Sequence, residues 1–366
     1  MKKFAWILGI FLVLALFGGR FFYLSQQSKI TKNADVVNIG VLLPLSGIVA
    51  QDGLDALAGI KIALEEINAQ HRFKINLLVE DNKHTAVATL AAFHRTNDKS
   101  SALIVFGGVP IAALTPQIKV MPKPTIALVN AENEPIYETP SVFRAWIPVP
   151  LQAQAVARFI ENTDAKRIAF LKIKATDGDI FGHVLKAQLE KMGKQFLITE
   201  SFAISDAETR VQVLKILDKK PEIVVVYGYA QGYISALNSL REQGYTGPII
   251  TNQNIIMHHH LLANHGAGIY FETPDYDFSK LVAKDPKLAD NLYAAFGYES
   301  LKILAKVIEK EGSESANMIQ GLGALTDFDT GFGKVSYDPQ GEIHLPNFVI
   351  KQMQPDGTAK IVKEQK

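Results

Sequence analysis

From Val36 onward, short apolar runs alternate with longer stretches whose apolar positions fall at helical spacing. The run VVNIGVLL has the uniform character of a strand buried on both faces, and Leu54, Leu57, Ile60, Leu64 and Ile67 then mark one face of a helix. The same order repeats: KINLLV precedes TAVATLAAFHR, ALIVFGG precedes IAALTPQIK, and TIALVN closes the series. Strand and helix in alternation predict a parallel sheet with crossover helices. After SVFRAWIPVP the pattern restarts with RIAFLKI, DIFGHVLKAQLEKM, QFLITESF, ETRVQVLKIL, EIVVVYG, YISALNSLREQG and PIIT. Two α/β lobes follow, with Pro148 and Pro150 near a boundary. The end reads differently: Leu288 to Glu311 is mainly helical, and residues 331–362 read as strands separated by Pro-Gln-Gly and Pro-Asp-Gly turns.

The N-terminus adds location. Lys2 and Lys3 precede FAWILGIFLVLALFGG, a basic start and apolar core of the kind found in export signals. Bulky GGRFFYLSQQ stands where a signal peptidase needs small residues, which favours an uncleaved anchor over a cleaved signal. As a helix, Phe4 to Gly19 would span only about 24 Å against a hydrocarbon core of ~30 Å, unless Arg20 snorkels and the following FFYL extends it. Either way the bulk of the chain is expected outside the cytoplasm, after a polar tether.

Composition mostly excludes. The 366 residues carry a formal charge of +1 and no cysteine, so a strongly basic footprint for nucleic acid, disulfides, a Cys nucleophile and thiolate metal sites are all missing. Phosphate-loop, nucleophile-elbow, His-Glu-x-x-His and dinucleotide fingerprints are absent, so no enzyme activity and no cofactor are expected. His258, His259, His260 and His265 cluster in MHHHLLANH, but adjacent helical residues point apart and no acid joins them. A solvated or capping loop explains them better than a metal.

Several segments, taken in order, resemble the branched-chain amino-acid binding protein family. They are VNIGVLLPLSGIVAQDGLDALAGIKIALEEINA, VEDNKHTAVATLAAFHR, VFGGVP, FRAWIP, IVVVYGYAQGYISALNSLREQGYTGPII and GFGKVSYDPQGEIHLPNFVIKQM. The resemblance implies the type I periplasmic binding protein fold: two Rossmann-like lobes with parallel sheets joined by a three-stranded hinge. It places crossings near Arg144 to Ile147, Glu272 to Asp275 and Asp327 to Gly331. The expected organisation is 1–35 anchor and tether, 36–145 with 275–328 as lobe 1, and 146–274 with 329–366 as lobe 2. It further implies a cleft that closes around a small molecule, with delivery to the membrane permease of an ABC importer. The alternative is a tethered sensor of the same fold that controls a membrane or cell-wall partner.

The loop LPLSGIVAQDG leads from the first strand into the first helix, where unpaired N–H groups face a ligand in sheets of this kind. Here the chain departs from the family. Asp52 stands where an aromatic residue would cover the ligand, and Pro110, Ile111, Ala112, Ala113 and Leu114 replace the hydroxyl residues that help hold a ligand carboxylate. Asn130, Ala131, Glu132 and Asn133 replace a small Ala-Thr pattern. Phe181 with Gly182 keeps the family's aromatic-Gly, Tyr229 its cleft tyrosine, and Gln253 falls near the acid that pairs with the ligand ammonium. The candidate ligand contacts are thus Asp52, Pro110, Ile111, Ala112, Asn130, Ala131, Glu132, Phe181, Tyr229 and Gln253.

Each has a plainer reading. Asp52 can cap its helix, the favoured role; Glu132 can be solvated, Asn130 and Gln253 can satisfy backbone groups, Phe181 can be core, and Trp146 can be hinge packing. If Asp52 and Glu132 both face the cleft, buried acids require a cationic or donor-rich ligand. The expected ligand is therefore small and polar: amino-acid-like, an amine or an amide.

Overall fold

A computed structural model describes residues 35–362 except 48, 130–138 and 263–264. The expected N-terminal apolar helix and tether lie outside the described residues, and among those described no helix is long and apolar enough to cross a membrane. The first sheet contains β1 (Val36–Leu43), β2 (Lys74–Asp81), β3 (Ala102–Phe106), β4 (Thr125–Leu128) and β5 (Val142–Arg144), in the order β2-β1-β3-β4-β5. All four pairings are parallel. Crossover helices α1 (Ala50–Gln70), α2 (Ala86–Thr96) and α3 (Gly108–Val120) follow the first three strands. The fully buried runs of β3 and β4 reflect helices on both faces of the sheet.

The second unit begins with α4 (Val149–Glu161). Then come β6 (Arg167–Ile173), α5 (Thr176–Lys191), β7 (Gln195–Phe202), α6 (Arg210–Asp218), β8 (Ile223–Tyr227), α7 (Ala230–Glu242), β9 (Ile249–Asn252), α8 (Asn254–His258) and β10 (Tyr270–Pro274). The chain then returns to lobe 1 through α9 (Ser279–Lys284), α10 (Leu292–Glu311) and α11 (Ser315–Gly323). Helix α10 packs along α1 at very close range, because both are glycine where they cross. A Cβ on Gly59 would sit 1.9 Å from the Ala294 carbonyl oxygen, and one on Gly297 would sit 2.3 Å from that of Ala56. Helices far apart in sequence thus share one core.

The closing strands divide between the lobes. A small sheet of β11 (Phe328–Thr330), β12 (Gly333–Tyr337) and β13 (Ile343–His344) puts Phe332, Val335, Tyr337, Ile343 and Leu345 into the first core. Next, β14 (Phe348–Met353) runs antiparallel to β10, and β15 (Ala359–Ile361) completes a seven-stranded sheet ordered β15-β14-β10-β9-β8-β6-β7. The third crossing therefore falls between Leu345 and Ile350, not at Asp327 to Gly331, and residues 329–345 go with lobe 1. The sequence pattern missed this because short strands look alike whichever core they serve. At the other crossings Ile147 belongs to the first core and Val149 to the second, while Phe271 belongs to the second and Tyr276 to the first. The Asp275 N–H donates to Asn347 O at 3.1 Å, stitching two of the crossings together.

Candidate ligand-binding cleft

In both sheets the strand order reverses beside the first strand, between β1 and β3 and between β6 and β8. Ligands of open parallel sheets sit outside the carboxyl ends at such switch points. On lobe 1 those ends are rigidly built. Asp81, closing β2, accepts from the Leu45 N–H at 2.9 Å, the Ser46 hydroxyl at 2.6 Å and the Lys83 N–H at 2.9 Å. Burial alone would raise its pKa, but these hydrogen bonds, that of Ser46 foremost, outweigh it and hold the carboxyl below its ordinary value. Fully buried Asn82 ties the neighbouring strands: its Nδ2 donates to Leu42 O and Phe106 O, both at 3.0 Å, and its Oδ1 accepts from the His84 N–H. Thus the loop after β1 is clasped by the end of β2.

Beyond it stand His84 and Gly107. Gly107 has φ +105°, and a Cβ there would lie 2.6 Å from the imidazole of His84, so only glycine lets the ring lie against the end of β3. Burial lowers the His84 pKa, which keeps the ring neutral. Helix α3 starts at this point with few donors to offer. Pro110 lacks an N–H, and the Ile111 N–H is already bonded to Gly107 O at 3.0 Å.

Asp52 lies inside the first turn of α1. Val49 holds the cap position, with no side-chain cap bond, so capping is not what Asp52 does. Its half-buried carboxylate instead accepts from the hydroxyl of Tyr293, in the first turn of α10. Burial is the main cause that pushes the Asp52 pKa up to about 6; the Tyr293 bond opposes it and nearby Asp55 adds to it. Tyr293 stacks on Trp146 with ring centroids 4.9 Å apart and leans on Phe106 at 5.5 Å. An acid is therefore held at the sheet end against an aromatic shoulder that reaches the first crossing.

Lobe 2 answers with Tyr229, following β8, and Asp177, in the first turn of α5. Half-buried Tyr229 has its pKa pushed up to about 12, by burial first and by Asp177 second. Gln253, at the end of β9, is buried, and its Oε1 has no hydrogen-bond partner. Polar groups thus stand near the switch points of both sheets.

The sequence profile of the periplasmic binding proteins matches residues 36–357. This chain belongs to that family. An amino acid binding protein of Pseudomonas aeruginosa is 23% identical over 350 residues, covering 88% of this chain and 91% of the relative. The branched-chain amino acid transporter substrate binding protein LivJ of Streptococcus pneumoniae, solved with isoleucine, superposes with a TM-score of 0.76 at 19% identity, over 90% of this chain and 99% of that one. A solute binding protein of Rhodopseudomonas palustris, solved with benzoate, gives 0.73 at 15% identity over 89% and 95%. These likenesses show the type I fold, as expected from the order of segments.

Within this periplasmic binding protein, the anticipated contacts fall into three groups. Asp52 lies in the first turn of α1, Tyr229 precedes α7 after β8, and Gln253 follows β9. Pro110 is buried at the start of α3, Ala112 is exposed, and Ile111 is fully buried in the layer of α2, α3 and the sheet. Phe181 is packing as well: it is 1% exposed and stacks on Tyr227 at 4.2 Å, while Gly182 leaves room for Phe170. Asn130, Ala131 and Glu132 lie outside the described residues. His84, Asp177 and Tyr293 were not anticipated. His84 and Asp177 follow strands and stood in legible strand-turn-helix stretches, whereas Tyr293 comes from a distant helix and no local pattern could announce it. Among the described residues no cluster of His, Asp and Glu could hold a metal ion.

Proposed function

We propose that this protein is an extracytoplasmic solute receptor of an ABC-type importer, whose lobes close around a small polar ligand and present it to a membrane permease. The observation that carries this reading is the pairing of two switch points across a hinge, with Asp52, Tyr293 and Trp146 on one side and Asp177, Tyr229 and Gln253 on the other. Family membership and the named relatives support it. Closure follows from differential affinity: a solute that touches both lobes favours the state in which both touch it. An amino-acid-like solute, an amine or an amide would suit the polar groups present.

Trp146 offers a direct readout. The chain holds two tryptophans, Trp6 and Trp146, so Trp6→Phe leaves a single indole beside the hinge. Titrating that full-length protein, after dialysis, with the small-solute fraction of a cell extract should change the Trp146 emission saturably. Emission that stays flat at every concentration would count against a ligand-closing receptor.

A further inference from the structure

Two acceptors at the candidate site, the Asp52 carboxylate and Gln253 Oε1, have bonding capacity to spare. Asp52 has a hydrogen bond from Tyr293 but no ion-pair partner among the described residues, although a carboxylate can accept about four hydrogen bonds. On lobe 2, just after β9, Gln253 is 4% exposed and its Oε1 has no partner. Buried acceptors without donors are costly, which makes their presence at a strand end a statement about what arrives there. Among the described residues of lobe 1, groups that could help hold a ligand carboxylate are committed or lost at three places. The Ser46 hydroxyl is committed to Asp81, Thr115 donates to Ile111 O within its own helix, and Pro110 deletes an N–H from the first turn of α3. His84 is kept neutral by burial and supplies no positive charge.

We propose that the cleft selects a cationic, donor-rich solute without a carboxylate anchor, its ammonium or amidinium group seated on Asp52 against Tyr293 and Trp146 and donating a further N–H to Gln253 Oε1. This rests on the receptor reading and narrows its ligand class. Tyr293 acts here as a positioning residue: its hydroxyl fixes the carboxylate, and its ring, stacked on Trp146, excludes water from one side and so strengthens the ion pair. The Asp52 carboxylate also gains from the N-terminus of α1, which stabilises its charged form without neutralising it.

Three probes that share one carbon skeleton test this. Leucine, 3-methylbutylamine (leucine without its carboxylate) and 4-methylpentanoate (leucine without its amine) are titrated calorimetrically into dialysed full-length protein. The amine should bind at least tenfold more tightly than leucine, and 4-methylpentanoate should give no binding heat. Asp52→Asn should weaken the amine at least tenfold, while Glu65→Gln, on the exposed face of the same helix, leaves it unchanged. Should Asp52→Asn fold poorly, the wild type carries the same test: amine affinity should fall as the pH drops through about 6, where Asp52 takes up a proton beside Asp55, Tyr293 and Asn291. Leucine or 4-methylpentanoate binding more tightly than the amine overturns the proposal and leaves the receptor standing. No heat from any probe, with a neutral or anionic small molecule carried through gentle purification, does the same. No heat and no carried molecule overturns both.

Discussion

Asp52 concentrates the residue-scale physics. A surface acid at a helix start would be held below its ordinary pKa, yet burial pushes this one up to about 6. Between about pH 4 and pH 6 the folded state therefore binds more protons at this site than the unfolded chain, so the contribution of Asp52 to stability falls as the pH rises through that window. In ligand-free protein, Asp52→Asn should flatten that part of the melting-temperature profile and melt no lower than wild type at pH 7; a lower melting temperature there would mean that the ionised carboxylate is compensated. The sequence marked Asp52 as unusual but favoured a cap. What decided its role was Tyr293, brought alongside by tertiary packing alone. Phe181 shows the opposite limit, since an aromatic-Gly pair after a strand reads the same whether it faces a ligand or Phe170.

At the scale of elements, the alternation of strands and helices was legible because helices cover both sheet faces and leave long uniform apolar runs. The register of the loops was not. Asn82 joins β1, β2 and β3 through hydrogen bonds whose partners are backbone groups, and backbone partners leave no trace in side-chain pattern. Asn82→Ala should cost about 2–4 kcal/mol, measured by denaturant unfolding, because it orphans buried backbone groups and opens a hole. The contact between α1 and α10 is equally exacting. Gly59→Ala directs its methyl at the Ala294 carbonyl, and backbone on both sides prevents relief, so a loss of about 3 kcal/mol is expected by the same measurement. Strand β10 carries fully buried Glu272, whose carboxyl oxygens have no hydrogen-bond partner and whose pKa burial pushes well above the ordinary carboxyl range. Its protonated form is the one the fold favours, and its stabilising contribution is lost as the pH climbs toward the raised value. Glu272→Gln, of nearly the same shape, should raise the melting temperature at pH 8 more than at pH 5; an equal change at both would show that the carboxyl titrates normally.

At the scale of the whole molecule, the order of segments was enough to expect two lobes, but short strands could not announce which core they joined. Residues 329–345 went to lobe 1 through Phe332, Val335 and Tyr337, whose apolar positions fit either sheet. The lobes are also linked away from the crossings. Lys351 on β14 pairs with Asp290, just before α10, at 2.6 Å, a contact that spans second and first lobe. Under the proposed receptor function, a solute bridging Asp52 and Gln253 would bias such a frame toward closure. The most direct test of that claim is native mass spectrometry of gently purified full-length protein, before and after dialysis under mild denaturant. The expected result is one small basic molecule per chain that leaves on dialysis. A chain that never carries a small molecule, or one that carries an amino acid whose affinity is unchanged by Asp52→Asn, would contradict the account.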